Sequence, residues 1–104
     1  MNEGRQLLLG SVEEREWRQQ VLDWAARRGW MAYFTWSSIH SPKGYPDLTL
    51  ARSPRLVTVE LKTVRGQQTP NQRLWDDVLS SITQYEHHGV WRPTDEERVL
   101  EVLR

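Results

Sequence analysis

The chain contains no cysteine, which excludes disulfides and thiolate-ligated metal centres and leaves its redox compartment open. It has no excess of charge of either sign, because 14 Lys and Arg stand against 14 Asp and Glu. Nucleic-acid binders are more often basic, so this total by itself argues mildly against a DNA partner. The distribution of charge matters more than the sum. Long apolar runs are also missing: Met1–Gly10 lacks the hydrophobic stretch of a signal peptide, and nothing later approaches a membrane span. A cytoplasmic protein, in a bacterium or a phage-infected cell, is therefore expected. No repeat, low-complexity tract or Pro/Gly-rich linker divides the sequence, so residues 1–104 are expected to form one domain. Phe is nearly absent, but six Trp and three Tyr supply core material, each buried ring removing about 150–250 Å² from water.

Three start signals for helices are present. Ser11, Thr69 and Thr94 each stand three residues before a Glu or Gln, the capping-box spacing, and Pro70 adds a favoured first-turn proline. A first helix is expected over about Val12 to Arg28, with Trp17, Val21, Trp24 and Ala25 as its apolar stripe and Gly29 as its stop. A second is expected from Pro70 to His87, with Leu74, Val78, Ile82 and Tyr85 facing inward and Gly89 at its end. A third, short helix runs from Asp95 to the C-terminus and carries Val99, Leu100 and Leu103. Strand signals lie between: Met31–Trp36, then Leu48–Ala51 and Leu56–Leu61 joined by the turn residues Arg52-Ser53-Pro54-Arg55, then Val90–Arg92 closed by Pro93. The order αβββαβ plus a short C-terminal helix implies an α/β fold around a mixed central sheet flanked by helices.

The chemistry concentrates in Gly44-Tyr45-Pro46-Asp47-Leu48 followed by Val59-Glu60-Leu61-Lys62. Side chains alternate along a strand, so Glu60 and Lys62 share one face while Val59 and Leu61 point into the core. Asp47 begins the preceding strand, and hairpin pairing would bring it opposite Glu60. An isolated Glu-x-Lys is usually a solvated strand face. The preceding Pro46-Asp47, one hairpin away, and the apolar alternation around Glu60 favour a site instead. Mg²⁺ or Mn²⁺ takes oxygen ligands, typically one or two carboxylates with water and phosphate. Asp47, Glu60 and the Leu61 carbonyl would be the protein's share, and Lys62 would hold the attacking water or neutralise charge on the phosphate.

An ordered set of motifs extends beyond that triad. It comprises Glu14-Arg15-Glu16-Trp17, Gly29-Trp30, Gly44 to Leu48, Glu60-Leu61-Lys62-Thr63, Arg65-Gly66-Gln67, Thr69 to Trp75, and Gly89-Val90 with Trp91-Arg92-Pro93. In these the chain resembles the VRR-NUC branch of the PD-(D/E)xK nucleases, in particular its small stand-alone phage and bacterial members. The resemblance implies the restriction-endonuclease-like fold, divalent-metal cleavage of DNA, homodimers and, in some members, a preference for branched DNA such as a Holliday junction. It also implies that a first-helix Glu assists the metal. Glu14, on the face of Trp17 and Val21, is preferred over Glu16, although Glu14 equally suits a capping box. Gln72 resembles a Gln that positions Lys62 or a phosphate, or it simply caps its helix.

Other residues carry weaker signals. His40 and Lys43 lie on the polar loop leading to Asp47. Arg52, Arg55, Arg65 and Arg73 flank the centre in sequence and suit contacts to a DNA backbone. His87-His88 is expected at a helix end, where the dipole accounts for it. Trp75, Val90 and Trp91 are expected at a dimer surface. The rival functions are a non-catalytic nucleic-acid-binding module of the same fold and a protein-interaction domain.

Overall fold

A computed structural model describes residues 3–35 and 40–104, with side chains from Glu13 onward in the first helix. The elements are α1 (Glu3–Arg27), β1 (Met31–Phe34), β2 (Leu48–Arg52), β3 (Arg55–Leu61), α2 (Pro70–Ser80), β4 (Glu86–Trp91), a 3-10 turn (Pro93–Asp95) and α3 (Glu96–Leu103). The expected α/β order holds. The strands form one mixed sheet in the order β1-β2-β3-β4, antiparallel up to β3 and parallel between β3 and β4.

Alternation on β3 divides the sheet into two faces. Val57, Val59 and Leu61 point to the face covered by α1 and α3, where they pack with Trp17, Val21, Ala25, Leu48, Leu50, Trp91, Val99 and Leu103. Trp17, Val21 and Ala25 recur every four residues, the stripe read from the sequence, and Trp24 packs against the same cluster. Burial of these large side chains contributes roughly 1.5–3 kcal/mol each. Indole N–H groups tie the layers: Trp17 donates to the Trp91 carbonyl at 3.0 Å and Trp30 to the Leu103 carbonyl at 2.9 Å. Thr58 and Glu60 point to the other face, where α2 docks.

Several boundaries differ from the sequence reading. The first helix begins at Glu3, not near Val12. The residues before Ser11 are mostly good helix formers, so the helix runs through Ser11, and its capping pattern never operates. The second helix stops at Ser80. The Ser81 hydroxyl donates to the Val78 carbonyl at 2.6 Å and the Ile82 N–H to Leu79 O at 3.2 Å, tightening a last turn that Ser80, Ser81 and Thr83 do not favour extending. The inward face assigned to this helix is also corrected: Leu74 and Val78 are 64% and 58% exposed, Ile82 is exposed too, and Leu79 is the buried residue. The helix is rotated because polar residues make its contact with the sheet.

Glu86 and His87, expected to close α2, instead open β4, which therefore starts before the strand expected from Val90; the β3 edge needs a hydrogen-bonding partner and a parallel ladder supplies it. His87 and His88 are thus strand residues and Gly89 sits inside a strand, not at a helix end. β4 ends at Trp91, before Arg92. Thr94 does not cap α3. Asp95, in the turn that Pro93 starts, accepts the Arg92 N–H at 2.8 Å. The expected β1 end at Trp36 lies outside the described residues.

Candidate active site

Asp47 is fixed from two sides. Its carbonyl accepts the Thr35 N–H at 2.9 Å, and its Oδ1 accepts the Leu61 N–H at 3.0 Å. The β2–β3 register pairs Leu48 with Val59, so one step further Asp47 stands opposite Glu60, as the hairpin spacing implies. Glu60 is 7% exposed. Lys62 follows two residues on, and its backbone N–H still belongs to the sheet, donating to Trp91 O at 3.1 Å.

The segment before Asp47 explains how α2 joins this group. Gly44 adopts φ +99°, and a Cβ there would lie 2.6 Å from the Asn71 carbonyl carbon and oxygen. Only glycine lets the loop lie on the start of α2. Tyr45 then packs edge-on against Trp75, with ring centroids 5.0 Å apart. The docked helix presents Gln72, whose Oε1 accepts the Thr69 N–H at 2.9 Å while its Nε2 donates to Glu60 Oε1 at 2.9 Å. The cap and the site contact use opposite ends of one amide. The two alternatives for Gln72 are not exclusive, and its partner is Glu60 rather than Lys62.

Electrostatics follow from the burial. Burial first, then the charge of Asp47, push the Glu60 carboxyl up to about 8, against the opposing pull of Lys62. Burial raises Asp47 to about 6, opposed chiefly by the Leu61 N–H and less by Lys62. Two enclosed carboxyls side by side resist double ionisation, so the pair retains a proton near neutrality unless a cation compensates it. The donor set is all oxygen and carries excess negative charge, which suits a hard divalent cation and not a thiophilic one. Among the described residues no three His, Asp or Glu side chains converge as a metal cluster. Two carboxylates are the usual protein share for Mg²⁺.

The remaining candidates divide. Glu14 is exposed on α1 and makes no hydrogen bond or ion pair among the described residues; with the helix starting at Glu3, the capping-box account of it falls away. Lys43, Arg65 and Arg73 are exposed, each within three residues of Gly44, Lys62 or Gln72 in sequence. His40 is exposed on the same loop.

Arg52 and Arg55 do not flank the centre. They sit at the far end of β2 and β3, about 17 Å along each strand. Their guanidinium groups lie 4.5 and 4.8 Å from the Trp30 ring centroid. Arg52 donates to the Arg28 and Leu103 carbonyls, and Arg55 forms a bidentate pair with Glu86 at 2.6 and 2.7 Å. Trp91 is fully buried, which removes it from the expected dimer surface. Sequence reasoning missed Asp76 and Thr58 beside the site. The four-residue step from Gln72 to Asp76 and the two-residue step from Glu60 to Thr58 were the available signals.

A scan against protein-family models finds no match, and a search of curated proteins finds none. Among solved structures the chain is similar to that of Archaeoglobus fulgidus Hjc, a Holliday junction resolvase from an archaeal hyperthermophile. The TM-score is 0.53 at 16% identity, covering 76% of this chain and 67% of that one. The likeness establishes the fold: a mixed sheet flanked by helices, as in that resolvase.

Proposed function

We propose that the protein is a divalent-metal-dependent DNA endonuclease of the VRR-NUC kind that hydrolyses phosphodiester bonds in branched DNA. The observation that carries the proposal is the enclosed pair Asp47 and Glu60, held by the Leu61 N–H and the Gln72 amide beside the charge of Lys62. Burying two acids side by side costs stability, and such perturbed pairs cluster at functional sites. The fold shared with a Holliday junction resolvase supports the branched substrate.

Asp47, Glu60 and the Leu61 carbonyl would hold Mg²⁺ or Mn²⁺, which when bound supplies Lewis-acid polarisation of the phosphate and an acidified water. Gln72 fixes the rotamer of Glu60, so the carboxylate is oriented before substrate arrives. Lys62 supplies a fixed positive charge where the phosphate develops negative charge. Glu14 belongs to the set through the family resemblance alone. Lys43, Arg65 and Arg73 would meet the DNA backbone. The assembly proposed is a two-fold dimer.

The test is a cleavage panel of linear, nicked, flapped and four-way DNA with and without Mg²⁺. Mg²⁺-dependent cutting of the four-way substrate is expected, and Asp47→Asn and Glu60→Gln should each abolish it while leaving the fold intact. A purified Asp47→Asn protein that cuts at the parent rate would overturn the assignment.

A further inference from the structure

α2 has no buried apolar residue before Leu79; two polar rungs hold its earlier turns on the sheet. The first is Gln72 on Glu60. One turn on, Asp76 Oδ1 lies 2.6 Å from His87 Nε2, His87 Nδ1 lies 2.8 Å from Thr58 Oγ1, and Thr58 Oγ1 lies 3.2 Å from the Tyr85 hydroxyl. The spacings match. Residues four apart on a helix face stand about 6 Å apart, and residues two apart on a strand about 7 Å, so Gln72 and Asp76 fall over Glu60 and Thr58.

The second rung is enclosed. The His87 side chain is 2% exposed and Thr58 is 3% exposed, so neither meets a substrate. β4 is irregular here, because Thr58 pairs with His87 while Glu60 pairs with Val90. Gly89 takes φ +71° within that bulge, where a Cβ would stand 3.4 Å from Asp76 Oδ1. A carboxylate only accepts, so Nε2 carries a proton towards Asp76, and the Thr58 hydroxyl bridges Nδ1 and the Tyr85 hydroxyl. A satisfied buried chain of this kind adds little stability over apolar packing, but it admits one register.

We infer that Asp76, His87 and Thr58 are positioning residues that set α2 over β3 so that the Gln72 amide meets Glu60, and that they act on cleavage only through that contact. The catalytic consequence rests on the nuclease reading, whereas the structural one does not. The experiment follows the Gln72 side-chain amide by NMR in ¹⁵N-labelled metal-free protein, assigned with Gln72→Met, alongside cleavage of four-way DNA at saturating Mg²⁺. His87→Leu should still fold, with a lowered melting temperature because Thr58 and Asp76 lose their shared partner, while the Gln72 amide moves to the position of a free glutamine. Turnover should fall about 10- to 100-fold with KM near the parent value, and His87→Gln, whose amide can still donate to Asp76, should recover much of both. Asp76→Ala, at a partly exposed carboxylate, carries the same readout should His87→Leu not fold. A Gln72 amide unmoved in a folded variant overturns the inference, as does a moved amide with unchanged turnover. A parent protein that cuts no DNA removes the nuclease reading, and the amide resonance still decides the positioning.

Discussion

Glu60 and Asp47 put an unusual sign on the stability of this protein. The Glu60 carboxyl rises from 4.5 to about 8 and Asp47 from 3.8 to about 6 on folding, so between those limits the folded chain binds more protons than the unfolded one. Stability is then fully present below pH 4 and lost as pH rises through the folded values. Glu86, lowered to about 2 chiefly by its hydrogen bonds to Arg55, acts in the opposite sense but only at more acid pH. Urea unfolding of metal-free protein should show a loss on the order of a few kcal/mol between pH 5 and pH 8.5. Glu60→Gln should flatten most of that slope, and Mg²⁺ should restore stability most at the alkaline end. A stability that rises over this range would show that the pair is not enclosed as described. Lys62 makes a separate prediction, because an ammonium repels a divalent cation. Lys62→Ala should lower turnover strongly while calorimetric Mg²⁺ binding persists or tightens. Loss of metal binding in a folded variant would contradict the role.

At the scale of elements, the site depends on how the loop before β2 meets the start of α2. Gly44→Ala would place a Cβ 2.6 Å from the Asn71 backbone at φ +99°, a strain of at least about 1–3 kcal/mol. The loop and α2 should separate, and with them Asp47 and Gln72. Chemical denaturation should report the lost stability, and cleavage should fall more than the same destabilisation placed at the far hairpin end. Substituting Arg52, which braces Trp30 and the Leu103 carbonyl, supplies that comparison. Equal activity in Gly44→Ala and parent would mean that this contact does not set the site.

For the whole molecule, several exposed apolar residues among those described lie on one side. Met31 and Tyr33, 77% and 69% exposed, share a sheet face with the partly exposed Leu56, because the register aligns Met31, Ala51 and Leu56 across three strands. α2 lies on that same face and turns Leu74 and Val78 outward. A second copy covering these residues would place two sites on two strands of a junction, consistent with the two-fold symmetry common in soluble assemblies. Light scattering should find a dimer, and Val78→Glu with Tyr33→Lys should yield a folded monomer that cuts four-way DNA poorly. Binding should weaken steeply with salt if Lys43, Arg65 and Arg73 meet phosphates. A parent monomer that cuts linear and four-way DNA equally would remove the dimer while leaving the nuclease proposal standing.

The sequence by itself determined what depends on local periodicity. Trp17, Val21 and Ala25 announced the core face of α1, the turn residues Arg52-Ser53-Pro54-Arg55 marked the β2–β3 hairpin, and that hairpin's register set Asp47 opposite Glu60. Local rules suffice there because neighbours in sequence are neighbours in space. The tertiary structure decided the rest. β4, expected only from Val90, reaches back to Glu86 through residues read as the end of α2, because the β3 edge required a partner along its length, a demand invisible in the segment's own pattern. α2 turned Leu74 and Val78 to the surface because Gln72 and Asp76 met buried polar groups on the sheet. Arg52 and Arg55, close to the site in sequence, went to the opposite end of their strands, since each residue along a strand carries the chain about 3.3 Å further away.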